Sequence, residues 1–285
     1  MIPVYFTEKM VASIESFSPS AGKPRQVVDS WLKLGVPIRI VEPSPVTVDQ
    51  LCLAHDREYV EGVLGLKIAN GFGNTSKELA GTLPWTSGAM LSAAREALKN
   101  GAVAVAPASG YHHAGYSHAG GYCTFNSLIV TARVLLGEGI VKRVGVLDLD
   151  QHEGDGTNDI IHELRLESSV LHYTAGAKWH RVSQATSFLE ILPCIVEEFS
   201  VCDVLLVQLG VDPHVDDPLG GWLSTEQLKQ RDRIVFEAAK EMGVPCAWSI
   251  AGGYQQPLSK VLRLHDNTLL MCAKSYVPMA SQEMQ

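Results

Sequence analysis

The sequence predicts an α/β fold: a central parallel sheet with helices packed against both faces. Three observations carry that reading. Short β-branched or apolar runs alternate with longer helical patterns along the chain. Several runs are almost continuously apolar, as expected of strands covered on both faces. Four of them lead directly into loops bearing His, Asp or Tyr, where an open parallel sheet gathers its ligands, outside the carboxyl ends of the strands.

Strands are predicted at 2–6, 38–41, 103–106, 144–149, 170–173, 204–209 and 245–250, and helices at 23–34, 56–66, 86–99, 125–136, 188–199, 225–241 and 260–272. Asp56 and Ser224 are suited to cap helix starts, and Gly137 and Gly243 stand where helices should stop. No low-complexity linker or internal repeat divides the 285 residues, so one domain spanning 1–285 is expected.

With 46% hydrophobic and 19% charged residues, the composition excludes a disordered chain or a coiled coil. The 23 Lys and Arg against 31 Asp and Glu give a net charge of −8, which argues against a nucleic-acid partner and suits a cationic substrate. The first 18 residues lack the basic stretch and apolar run of a signal peptide, and no stretch approaches the ~18 apolar residues of a membrane span. Six scattered cysteines with no C-x-x-C pair read as reduced thiols of a cytoplasmic protein.

The strand ends carry the chemistry. Strand 103–106 leads to Gly110-Tyr111-His112-His113, strand 144–149 to Asp150-Gln151-His152-Glu153-Gly154-Asp155, strand 204–209 to Gly210-Val211-Asp212, and strand 245–250 to Gly252-Gly253-Tyr254. Asp150 and His152, two apart in an extended segment, point the same way. With Asp212 they form a three-ligand set that leaves a position open, the catalytic arrangement for Zn²⁺, and two carboxylates offset the charge of the ion. Asp148 and Asp155 flank these ligands and suit the two imidazoles of His112 and His113 as hydrogen-bond partners, giving two His–Asp dyads, one to take a proton from water and one to give a proton to a leaving group. Tyr254, after two glycines, is placed to donate to an oxyanion. Each feature alone also fits an ordinary loop; together they describe metal-assisted hydrolysis of an amide. No G-x-S-x-G elbow or phosphate-binding loop occurs.

The stretches GYHHAGYSHAGGYCTFNS, VLDLDQHEGDGTND, QLGVDPHVDDPLGG and AGGY resemble, in that order, zinc-dependent histone deacetylases and their bacterial relatives, including acetylpolyamine amidohydrolases. KPR at 23–25 and HDREYVEGV at 55–63 are similar too, so the resemblance covers residues 23–255. It implies an arginase/deacetylase-like α/β domain with a sheet of about eight parallel strands. It implies zinc on Asp150, His152 and Asp212, and general base and acid roles for His112 and His113, backed by Asp148 and Asp155. Tyr254 then polarises the acyl carbonyl, and Gly121 and Tyr122 line the substrate tunnel. The substrate implied is an N-acylated amine, acyl-lysine or acetylpolyamine. Fe²⁺ or Co²⁺ are substitutes that the same ligands accept.

Three departures bear on what transfers. Glu153 stands where the family commonly has His or Gln. Val170 replaces a Ser that helps bind a structural monovalent cation, which leaves that cation an open question. Only 39 residues separate His172 from Asp212, short of a segment that normally walls the tunnel, so a shallower pocket or completion by a partner subunit in a homo-oligomer is an alternative. Two other functions fit parts of the pattern. A binuclear Mn²⁺ ureohydrolase needs further bridging carboxylates, but Gly154 and His214 occupy those positions; His214 is expected at the rim. A catalytically silent module that binds acetylated amines is the other alternative.

Overall fold

The computed structural model describes residues 1–278. Its strands are β1 (Ile2–Tyr5), β2 (Ile38–Val41), β3 (Val103–Ala106), β4 (Val144–Asp148), β5 (Val170–Thr174), β6 (Val204–Gln208) and β7 (Cys246–Ser249). Its α-helices are α1 (Lys23–Trp31), α2 (Val48–Leu51), α3 (Arg57–Leu64), α4 (Lys77–Asn100), α5 (Ser127–Gly137), α6 (Asp155–Glu163), α7 (Ala185–Glu197), α8 (Thr225–Met242) and α9 (Ser259–Tyr276). The seven strands form one sheet in the order β2-β1-β3-β7-β6-β4-β5, and every pairing is parallel.

The continuous apolar runs resolve into two faces. Val103, Val105, Leu147, Leu205, Val207 and Trp248 join a core with α1, α7, α8 and α9, while Ala104, Ala106, Val146, Leu206 and Ala247 face a second core built with α3, α4, α5 and α6. Alternation is hidden in the sequence because both directions are dry. Trp248 anchors the first core between Trp31, with centroids 5.5 Å apart, and Phe236, at 5.7 Å.

All seven predicted strands are present, one fewer than the family resemblance implied. Beyond β5, an edge strand, the chain passes through short 3-10 turns into α7 and returns as β6. That connection contains no further strand to pair outside β5. Asp56 accepts from the Tyr59 amide, Ser224 forms a capping box with Gln227, and Gly243 ends α8 at φ 69°. Gly137 is the last residue of α5, and the left-handed residue after it is Gly139. The start of α4 departs from expectation. The helix expected over 86–99 begins nine residues earlier, at Lys77, behind the N-cap Ser76, whose side chain accepts from the Leu79 amide, and it runs through Pro84. A proline inside a helix removes one i→i−4 bond; the burial of Leu79, Ala80 and Leu83 on one face offsets that loss.

Candidate active site

Sheet order explains why distant loops meet. β3, β7, β6 and β4 are consecutive neighbours, so the four loops carrying His112-His113, Tyr254, Asp212 and Asp150-His152 leave one edge of the sheet side by side. Ligand atoms of Asp150, His152 and Asp212 all lie within 4.8 Å of one another.

Asp150 and His152 project together for a different reason from the extended alternation expected. β4 stops at Asp148, and two successive Asx turns follow: the Asp150 amide donates to Asp148 Oδ1 at 3.1 Å, and the His152 amide to Asp150 Oδ1 at 3.1 Å. The Gly252 amide donates to Asp150 Oδ2 at 2.9 Å, so the loop after β7 is tied to the loop after β4. A Cβ at Gly252 would collide with both carboxylates, which is why only glycine lets this backbone approach.

The donor set fits a divalent cation. His152 Nδ1 lies 3.3 Å from Asp150 Oδ1 and 3.2 Å from Asp212 Oδ2, yet Asp212 Oδ2 is buried without a hydrogen-bond partner. Both carboxyl groups are buried, while the His152 side chain is 33% exposed. Burial and the charge of Asp150 push Asp212 up to about 7. Burial also opposes the charge of Asp150, but His112 and His152 outweigh it and hold that carboxyl well below its usual range. Two carboxylates and an imidazole aimed at one point, with one oxygen orphaned, match the ligand chemistry of Zn²⁺.

Both His–Asp dyads form. His112 Nδ1 is 2.7 Å from Asp148 Oδ2, and His113 Nδ1 is 2.6 Å from Asp155 Oδ1. The two rings sit 4.1 Å apart. Burial lowers the basicity of both rings, but three carboxylates (Asp148, Asp150 and Asp212) outweigh it at His112 and raise it to about 9. At His113, burial and the neighbouring His112 prevail and its value falls. Gly121, at φ 50°, packs its α-carbon against the His113 ring, and Tyr122 follows at φ 63°.

Tyr254 is buried, and its amide donates to Asp217 Oδ2 at 2.8 Å. Burial, then the charges of Asp212 and Asp150, raise its phenol above the ordinary tyrosine value, so it keeps its proton. Tyr122 stands 6.2 Å from it and Phe72 5.4 Å from Tyr122. On the N-terminal loop, Phe17 lies nearly parallel to Tyr254 at 6.1 Å while 56% exposed. Sequence reasoning missed this ring, since no pattern marks a loop phenylalanine as part of a site.

Other buried charges were also missed. Arg231 on α8 is 1% exposed and donates to Leu149 O at 2.9 Å and Gly210 O at 2.8 Å, the carbonyls just before Asp150 and two residues before Asp212. Its Nε donates to Asp232 Oδ1 at 2.8 Å, and Asp232 Oδ2 accepts from Thr268 of α9 at 2.6 Å. The signal was present: Arg231 and Asp232 occupy the helical face that Leu228, Val235, Phe236 and Ala239 bury. In KPR, Lys23 is buried and donates to Ala251 O, whereas Arg25 is exposed and pairs with Glu8. Burial lowers Lys23 to about 8 against the pull of Asp212, Asp150 and Asp217. His214, expected at the rim, is instead buried between Thr225 Oγ1 and the Asp216 amide, apart from the three converging ligands. Val170 is buried in the core and offers no side-chain oxygen.

A model of the histone deacetylase domain matches residues 19–181 and 167–269. The chain is 24% identical to a probable deacetylase of Methanothermobacter thermautotrophicus over 84% of this chain and 81% of the relative. It is 30% identical to acetylpolyamine amidohydrolase 2 of Pseudomonas aeruginosa over 50% of this chain and 48% of that protein. Among solved structures, acetylpolyamine aminohydrolase from Burkholderia pseudomallei superposes with a TM-score of 0.75 at 17% identity, covering 96% of this chain and 99% of the other. The HD domain of HDA15 also scores 0.75, at 21% identity and with coverages of 95% and 90%. With the family model matched over most of its length and the fold shared, this chain belongs to the histone deacetylase domain family, whose relatives are named as deacetylases and acetylpolyamine amidohydrolases.

Proposed function

We propose that this protein is a zinc-dependent amidohydrolase, acting as one catalytic domain, that removes an acyl group, acetyl in the first instance, from an N-acylated amine such as acyl-lysine or acetylpolyamine. The observation that carries the reading is the convergence of Asp150, His152 and Asp212 between two His–Asp dyads and a protonated tyrosine. In this reading Asp150, His152 and Asp212 hold Zn²⁺, with Fe²⁺ or Co²⁺ as substitutes, and the ion supplies Lewis acidity when bound.

The side chains do the rest. The His112–Asp148 and His113–Asp155 dyads take a proton from the attacking water and return one to the departing nitrogen. Water oxygen bonds to the acyl carbon, the C–N bond breaks, and the products are a carboxylate and an amine. Tyr254 donates a hydrogen bond to the acyl oxygen as negative charge develops there. Tyr122 and Gly121 flank the entering arm. The chain has six free cysteines, consistent with a reducing cytoplasm.

The test is hydrolysis of a fluorogenic acetyl-lysine peptide and of an acetylated polyamine by zinc-loaded protein. Tyr254→Phe is expected to lower kcat by roughly 10²–10³-fold while metal content, read by elemental analysis, is unchanged. Unchanged turnover in Tyr254→Phe refutes that role, and metal-loaded protein inert toward every acylated amine favours the silent binding module.

A further inference from the structure

We propose that a pocket between α9 and the loops after β6 and β7 is a second binding site, and that its ligand is a free apolar α-amino acid. The pocket stands apart from the catalytic groups: its lining includes none of Asp150, His152 and Asp212, neither His–Asp dyad, and not Tyr254. Its volume of about 450 Å³ falls within the ~300–1,000 Å³ of small-molecule sites.

The sequence of α9 builds one wall. Lys260, Arg263, Leu264, Asn267 and Leu270 recur at helical spacing, so they share the face turned to the pocket. Across from them stand Asp216, from the loop after β6, and Gln255, which follows Tyr254. Leu34, just beyond α1, joins Leu264 and Leu270 as the apolar part of the lining. His214 adds no charge there, because burial lowers its basicity and both ring nitrogens are engaged, with Thr225 Oγ1 and the Asp216 amide.

The lining therefore carries two cations, Lys260 and Arg263, and two carboxylates, Asp216 and Asp266. Among the described residues, two of its polar atoms are buried without partners: Gln255 Nε2, on a side chain 4% exposed, and Asp266 Oδ1. The other Asp266 oxygen accepts from Ser30 Oγ at 2.9 Å, which fixes the carboxylate in place. Burial pushes the Asp266 carboxyl up despite that bond and the charge of Arg263, so it is still short of cationic compensation. Unpaired buried polar groups are costly. A ligand carboxylate meets Gln255 Nε2 and the two cations, a ligand ammonium meets Asp266 Oδ1, and a short alkyl arm covers the leucines. A simple anion leaves Asp266 unmet, and a simple amine leaves Gln255 unmet.

Isothermal titration of the zinc-loaded protein with L-leucine tests the assignment. One equivalent is expected to bind. The carboxylate 4-methylpentanoate, which lacks the ammonium, and leucinamide, which lacks the carboxylate, are each expected to bind about 10–100-fold more weakly, the worth of one charge-assisted hydrogen bond. Arg263→Ala and Asp266→Asn are expected to weaken leucine by a similar factor, while Tm without ligand stays within about 1 °C of the parent. Because amino acids also chelate metals, the titration is repeated with a saturating hydroxamate on the catalytic site, and leucine binding is expected to be unchanged. Competition between the two places leucine on the metal and overturns the assignment. Absence of leucine binding, equal binding of either half-molecule, tighter binding of inorganic phosphate, or variants that bind leucine as the parent does overturn it as well. The site is independent of the amidohydrolase reading: protein that binds leucine but hydrolyses no acylated amine counts against that reading alone.

Discussion

Replacing Arg231 by Met tests whether a buried guanidinium holds the two carboxylate loops in register. The substitution leaves Asp232 buried without its cationic partner and frees the carbonyls of Leu149 and Gly210, which accept from Arg231 at 2.9 and 2.8 Å. Removing one partner of a buried charge pair costs about 3–5 kcal/mol. At about 2.1 cal/mol/K per residue, the 285 residues give an unfolding entropy of about 0.6 kcal/mol/K. A loss of about 4 kcal/mol therefore lowers Tm by roughly 7 °C. The double variant Arg231→Met/Asp232→Asn removes the uncompensated charge and is expected to recover part of that loss. Metal affinity, from competition with a coloured chelator, is expected to fall by about 10–100-fold in both, because such outer partners orient the ligands. A melting temperature within about 1 °C of the parent, or equal Tm for the single and double variants, refutes this role for Arg231.

Three further outcomes are expected. Asp212→Ala should lose both bound metal and activity, measured by elemental analysis of the purified protein; retained metal would exclude Asp212 as a ligand. Phe17→Ala should raise KM for an acyl-lysine peptide by about 3–10-fold, the worth of one aromatic contact, with kcat and Tm nearly unchanged because the ring is half exposed; an unaltered KM removes Phe17 from the channel. His55 is neutral in the fold, accepting from the Asn126 amide through Nε2, with Nδ1 2.9 Å from Gly115 O, and burial lowers it to about 4. The unfolded chain binds that proton first, so this contribution is intact above about pH 6.5 and is lost as pH falls toward 4, by up to ~3 kcal/mol. Urea melts across that range should show a shallower pH slope for His55→Gln than for the parent; identical slopes would contradict the assignment.

The fold was legible because burial on both sides makes each parallel strand a conspicuous apolar run, and all seven runs are strands. Boundaries were less so where packing overrides local preference, as at Pro84, which sits inside α4 because the surrounding face is buried. The residues with chemistry at strand ends could be read because the carboxyl edge of a parallel sheet collects them whatever their separation in sequence. Lys23 and Asp217 could not, because their importance lies in three-dimensional burial: a lysine opening α1 looks like an ordinary solvated charge until the partner elements are in place, whereas Arg231 was marked only by its place on the apolar face of α8. Asp150 and His152 show a subtler failure. Strand alternation predicts their common direction, but Asx turns produce it.

The site draws its groups from loops after four central strands, and no one stretch of chain carries enough of it to bind an ion tightly alone. Chelation is therefore expected to be felt by the whole molecule and not by a single loop. At a free metal concentration about 100 times the dissociation constant, occupancy adds about 2.7 kcal/mol to global stability. In the proposed metal-bound reading, slowly exchanging amides in β4, β6 and β7 should lose protection together when a bound ion is stripped, so the supply of that ion would set how long each copy survives.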